Sequence, residues 1–295
     1  MTQNPIFKGA ATALITPLDE RGVDFTKFGE LIDMQIDAGI DALVIAGTTG
    51  ESSTLTDEEH RAVIAYAIGR VAGRVPVIAG TGSNETEYAV GLSRFACEAG
   101  ADALLVVTPY YNKTTQRGLV AMYSAIADAA TKPVIAYNVP SRTGLNIEPS
   151  TYLTLAEHGN IRAVKEANGN ISKIVETFAL VGDKIDIYSG NDDQIVPILS
   201  MGGTGVISVL SNLCPRETSE ICHRFFEGDI AGAAKMQCEY LPLVSALFSE
   251  TNPIPVKAAM AKLGYCSDFL RLPLVTMEKE HRGVLYARMA ERGLI

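Results

Sequence analysis

The chain has 295 residues, 47% of them hydrophobic and 20% charged, enough to bury the core of one large α/β domain. Its net charge of −9 and its lack of any basic run exclude the electrostatic footprint of a nucleic-acid binder, so a small anionic substrate would need positive charges placed locally. Five cysteines (Cys97, Cys214, Cys222, Cys238 and Cys266) are odd in number, scattered and without metal-type spacing, which suits reduced thiols in a reducing compartment.

Short apolar runs rich in β-formers recur along the chain, each followed by turn residues and then a helical pattern. They predict strands at 11–16 ("ATALIT"), 42–47, 75–80, 103–109, 133–138, 161–166, 185–190 and 204–209. Between them lie amphipathic stretches such as 26–39 and 85–100, with apolar residues three and four apart and a closing glycine. The strand–helix alternation implies parallel strands joined by right-handed crossovers. "AGIDALVIAGT" (38–48) and "AGADALLVVTP" (99–109) align without gaps, 61 residues apart, a period that suits two βα units. Eight strands, and no GxGxxG after the first, favour a closed (β/α)₈ TIM barrel over an open doubly wound sheet. We therefore expect an α/β fold: a barrel over 1–211 carrying the active site, and a C-terminal helical appendage over 212–295 packed on it without a linker. No apolar run reaches membrane length, and the opening "MTQNPIFKGAATALITP" has no charged segment leading into a long apolar stretch. The expectation is a soluble, cytoplasmic protein.

In a barrel, chemistry belongs where the strands end. Strand 2 ends in "GTTGES", strand 4 in "TPYYN", strand 5 in "YNVPSRTG", strand 6 in "KEANGN" and strand 7 in "SGND". Lys165, at the end of strand 6, either reaches a carboxylate at the rim or serves as a Schiff-base nucleophile, because partial desolvation favours the neutral amine that attacks a ketone. Glu166 alternates to the opposite face of the strand and need not pair with it. Thr56 and Glu59 have capping-box spacing, so a helix begins near Asp57. The Gly47–Gly50 segment before it is either a plain βα turn or a cradle of N–H groups and hydroxyls for a carboxylate; no Gly-Lys-Ser/Thr follows to make it a nucleotide loop. Tyr137 is either core or a proton shuttle beside an amine. Arg142, on a proline-constrained loop, is either a solvated surface residue or a bidentate clamp on a carboxylate. The paired Tyr110 and Tyr111 point to a subunit contact.

The four histidines (His60, His158, His223 and His281) share no ligand spacing and none ends a strand, which makes them helix-face or surface residues. Asp192 and Asp193 suit a loop or helix start better than a cation site. No metal and no cofactor is called for, since a lysine imine supplies its own electron sink.

Taken together, "GTTGES", "TPYYN", "YNVPSRTG", "KEANGN" and the later "NPIPVKAAM" resemble, in order and spacing and over essentially the whole chain, the dihydrodipicolinate synthase and N-acetylneuraminate lyase superfamily of lysine-dependent, pyruvate-handling barrels. The arginine of "YNVPSRTG" makes the chain look like the synthase branch. That resemblance implies condensation of pyruvate with L-aspartate 4-semialdehyde in diaminopimelate and lysine synthesis, by a homotetramer built as a pair of tight dimers. Lys165 would form the imine and Tyr137 would relay protons, linked by Thr48 to a Tyr111 donated by the neighbouring subunit. Thr48 and Thr49 would hold the pyruvate carboxylate and Arg142 that of the aldehyde, while Gly190 and the backbone of Ile207 would line the pocket. Ser52, His60, Asn84 and Tyr110 would fit the family's effector pocket. Asp57 and Tyr88, however, stand where members inhibited by lysine carry histidine and glutamate, so weak lysine inhibition is expected. Rival readings are another pyruvate-dependent aldolase acting on a sialic or 2-keto-3-deoxy sugar acid, and a non-catalytic binding barrel. A second carboxylate clamp argues against the first, and a proton relay against the second.

Overall fold

The computed structural model describes residues 5–295; residues 1–4, part of the stretch assigned to the barrel, lie outside it. Eight strands, β1 (Gly9–Ala13), β2 (Ala42–Ile45), β3 (Val77–Gly80), β4 (Ala103–Val107), β5 (Val134–Asn138), β6 (Ile161–Glu166), β7 (Asp186–Ser189) and β8 (Gly205–Ser208), close into a barrel. Every neighbouring pair is parallel, and β8 returns to pair with β1. The strands read as continuous apolar runs because both of their faces are buried. Inward-pointing residues such as Ala11, Val44, Ile78, Leu105, Ile135 and Ile207 form one cluster inside the barrel. The alternate residues pack outward against the helices in a second, larger cluster.

The expected helices are present and capped as their sequences dictate. Asp24 caps α1 (Phe25–Asp37) by accepting from the Lys27 N–H, and Thr56 with Glu59 forms the anticipated capping box on α2 (Asp57–Val71). α3 (Thr86–Ala99) stops at Gly100, whose φ of 101° only glycine adopts freely. The first strand begins two residues earlier than its apolar run suggested. Gly9 and Gly205 pair there, and a Cβ on Gly205 would sit 2.0 Å from the Gly9 carbonyl oxygen, so these two glycines make the close contact that shuts the barrel. A small hairpin, Leu18–Asp19 with Gly22–Val23, lies outside the barrel and left no mark in the apolar pattern.

Beyond β8, α4 (Pro215–Phe226) packs against β1 and β8 as the eighth crossover helix. The same helix also packs against the helix that follows it, and so joins the barrel to the C-terminal helices. Three helices then form the appendage: α5 (Ile230–Leu247), α6 (Ile254–Lys262) and α7 (Lys279–Glu291).

Candidate active site

Alternation along β5 and β6 sets the centre of the site. Tyr137 and Lys165 are register partners on these two strands, one step beyond the inward-facing Ile135 and Ala163, so both side chains point into the mouth of the barrel. Lys165 is 6% exposed, has no carboxylate partner among the described residues, and lies with Nζ 4.2 Å from the Tyr137 ring centroid. The sequence left open a rim carboxylate for this amine, and the structure offers none. Gly190, just past β7, leaves room for it, since a Cβ there would lie 3.2 Å from Lys165 Cε.

Glu166 faces the other way, as alternation requires. It accepts hydrogen bonds from Asn138 Nδ2 (3.0 and 3.2 Å), from the Tyr152 hydroxyl (2.8 Å) and from the Asn168 N–H (2.8 Å). Burial pushes its carboxyl up to about 7, and those donors hold it from rising further. It thereby ties the loop after Lys165 to the end of β5.

The turn after β2 curls tightly. The N–H groups of Gly50 and Ser52 bond back to the Gly47 carbonyl and that of Glu51 to Thr48, while no acceptor among the described residues takes the N–H groups of Thr48 and Thr49. Thr49 is buried and its Oγ1 accepts from Asn252 Nδ2 at 2.9 Å. Arg142 lies in the short helical turn Pro140–Thr143 and donates through Nη2 to the Asn252 carbonyl at 2.7 Å.

A cavity of about 470 Å³ brings together Thr48, Thr49, Tyr137, Arg142, Lys165 and Gly190. The appendage closes one side of it with Phe248, Glu250, Thr251 and Asn252. The "NPIPVKAAM" stretch carries part of the family resemblance without any assigned role in the site. That Asn252 would touch both the turn and the arginine had no local signal, because the contact to Thr49 spans 203 residues. The Ile207 side chain lies in the inner barrel cluster at 1% exposure, which leaves only its backbone for the wall, and the side chain of Val209, two residues on, lines the cavity.

A second cavity, of about 230 Å³, shares Thr48, Val139 and Arg142 with the first and holds Ser52, His60, Tyr88 and Tyr110. Asn84 does not line it; its carbonyl accepts from Asn112 Nδ2 at 2.8 Å. His60 is a helix-face residue as expected but not a surface one: at 4% exposure its Nε2 bonds the Gly80 carbonyl at 2.8 Å, and burial lowers its basicity. Asp57 is held by Arg61 Nε at 2.8 Å, an interaction that keeps its carboxyl below the usual range. Tyr111 reaches neither cavity. It is 92% exposed and sits at φ 70°, a conformation uncommon for a bulky side chain. Asp192 takes the loop role expected of it, accepting the N–H groups of Val209 and Leu210 at 3.0 and 2.9 Å. Among the described residues no group of three or more His, Cys, Asp or Glu is arranged to hold a metal ion.

This arrangement offers an amine nucleophile beside a phenol, in one cavity with a backbone cradle and a guanidinium. Proteins of known structure with the same architecture are close in sequence. The Aquifex aeolicus dihydrodipicolinate synthase superposes with a TM-score of 0.96 at 45% identity, covering 98% of this chain and 99% of that one. The Acinetobacter baumannii dihydrodipicolinate synthase, solved in complex with pyruvate, gives 0.95 at 39%, covering 98% and 99%. A 4-hydroxy-tetrahydrodipicolinate synthase of Thermoanaerobacter sp. (strain X514) is 52% identical over 292 residues, 99% of this chain and 98% of the relative. With residues 6–291 also matching a single family description, and the fold, the motifs and the lysine-centred cavity all of one kind, the chain belongs to the dihydrodipicolinate synthetase family.

Proposed function

We propose that the chain is a lyase that condenses pyruvate with L-aspartate 4-semialdehyde to 4-hydroxy-tetrahydrodipicolinate, in diaminopimelate and lysine synthesis. The observation that carries this reading is the buried Lys165, unpaired by any described carboxylate and set against Tyr137, in a cavity that also holds the Thr48–Thr49 turn and Arg142, two groups suited to carboxylates. Lys165 Nζ attacks the pyruvate ketone, water leaves, and an imine forms. Loss of a C3 proton gives an enamine, whose carbon bonds to the aldehyde carbon of the second substrate. The amine of that substrate then attacks the imine carbon, closing the ring and releasing Lys165 as a free amine.

In this reading Tyr137 passes the protons, the N–H groups of Thr48 and Thr49 hold the pyruvate carboxylate, and Arg142 holds that of the aldehyde. A sugar-acid aldolase would want hydroxyl-matching groups where Arg142 stands. Tyr111 serves a neighbouring subunit, and its exposure and positive φ support that role. The assembly is a homotetramer made of two tight dimers. The setting is cytoplasmic, where a pathway of small soluble intermediates would run; among the described residues no helix is long and apolar enough to cross a membrane.

The test has two parts. Pyruvate and L-aspartate 4-semialdehyde, coupled to a reductase that consumes the cyclic product, should show turnover. Pyruvate with borohydride should add one pyruvate-derived mass per chain, on the peptide carrying Lys165. Label on another lysine, or none, refutes the mechanism.

A further inference from the structure

Among the described residues, Glu51–Lys257 is the one ion pair with both side chains at 0% exposure. Apolar residues of similar volume often stabilise a fold as well as a buried pair does, so such a pair is better explained by the geometry it fixes than by stability. Glu51 closes the turn after β2: its N–H donates to the Thr48 carbonyl at 3.2 Å, and its backbone is held in the left-handed region at φ 57°. One carboxylate oxygen faces Lys257 Nζ and the other accepts the Arg271 N–H at 3.3 Å. Lys257, on α6, also donates to the Phe269 carbonyl at 2.8 Å. Five residues before it, Asn252 donates to Thr49 Oγ1. One segment of the appendage thus grips the turn twice, at Thr49 on the cavity side and at Glu51 behind it. Neither Glu51 nor Lys257 lines the cavity.

We infer that the Glu51–Lys257 pair is a latch through which the C-terminal helices hold the Gly47–Gly50 turn in the geometry that receives the pyruvate carboxylate. Both are positioning residues, acting through the N–H groups of Thr48 and Thr49. The inference rests on the pyruvate-imine reading above. Breaking either end lets the left-handed residue relax and swings those N–H groups away from the ligand, while Arg142, carried by the loop after β5 and held by the Asn252 carbonyl rather than by Glu51 or Lys257, feels the break only indirectly.

The experiment uses full-length Lys257→Met and Glu51→Gln, each checked for a cooperative melt. In both, the pyruvate concentration giving half-maximal borohydride trapping on Lys165 should rise about tenfold or more, while KM for the aldehyde rises less than about threefold. Lys257→Arg, which keeps the charge, should recover most of the loss. A half-saturation within about twofold of wild type in a folded variant, or an equal rise for both substrates, overturns the latch. If the single variants do not fold, the double variant Glu51→Gln with Lys257→Met, which leaves no buried charge unpaired, is judged by the same criteria. Wild-type chain that traps no pyruvate on Lys165 overturns the imine reading itself. Wild-type trapping with unchanged variants overturns only the latch.

Discussion

Replacing Gly190 with alanine tests whether Lys165 depends on the room that this glycine leaves. The added Cβ would lie 2.7 Å from Ala167 Cβ, 3.1 Å from the Glu166 carbonyl oxygen and 3.2 Å from Lys165 Cε. Unstrained carbons approach to about 3.5–4.0 Å, so the tightest contact overlaps by about 1 Å. The Glu166 carbonyl is pinned by the Gly190 N–H at 2.7 Å, and Ala167 is tied to β5 through its own N–H. The clash is therefore relieved only if the segment bearing Gly190 and the one bearing Ala167 move apart by about that much, and Lys165, two residues before Ala167 and itself overlapped at Cε, shifts with them. Overpacking of this kind costs about 1–3 kcal/mol in stability. A reacting atom displaced by about 1 Å loses about 100-fold in rate, equivalent to about 2.7 kcal/mol on the barrier. The coupled assay should show kcat/KM reduced by that order, with slower trapping of pyruvate on Lys165 and a melting temperature a few degrees lower. A kcat/KM within about threefold of wild type would refute the reasoning, because Gly190 would then be only a turn residue.

Arg142→Ala should leave pyruvate trapping near normal and cut condensation by roughly thirtyfold or more, from about 2 kcal/mol of lost charge-assisted binding, the low end for a side chain exposed in the free chain. Equal loss of both steps would make Arg142 structural. Glu166 is raised to about 7 in the fold from 4.5, so the folded state binds the extra proton between those values. Its contribution to stability is full below about pH 4.5 and is lost as pH rises through about 7. Denaturation midpoints of Glu166→Gln should accordingly fall less steeply than wild type over that window, and parallel curves would remove Glu166 as the titrating group. Lysine should inhibit weakly, since Asp57 is already engaged by Arg61 and no glutamate stands at Tyr88; strong inhibition at micromolar lysine in the coupled assay would overturn this. Co-expressed Tyr111→Phe and Lys165→Ala chains should regain activity in hybrids, one site of which has an intact lysine and a donated tyrosine. Hybrids no more active than either parent would return Tyr111 to its own chain.

Much of this protein was legible locally. Every barrel strand overlaps an apolar run, and the capping box at Thr56–Glu59 begins α2 as written, because burial of both strand faces and satisfaction of helix ends leave signatures within a few residues. Since in a parallel barrel every strand delivers its last residues to the same mouth, the strand-end rule brought Lys165, Tyr137, Arg142 and the turn holding Thr48 and Thr49 into view as candidates, and the family resemblance added Gly190 and chose among their roles. The fate of individual side chains was not local. His60 has the sequence context of a surface histidine and becomes buried only when α2 lies against the end of β3. Ile207 sits in the inner column while Val209 reaches the cavity, a difference set by where β8 ends. Asn252, Glu51 and Lys257 stand inside the motifs of the resemblance, yet nothing local gives any of them a role. Their contacts join positions about two hundred residues apart, and a buried charge shows its purpose only when the fold has brought up its partner.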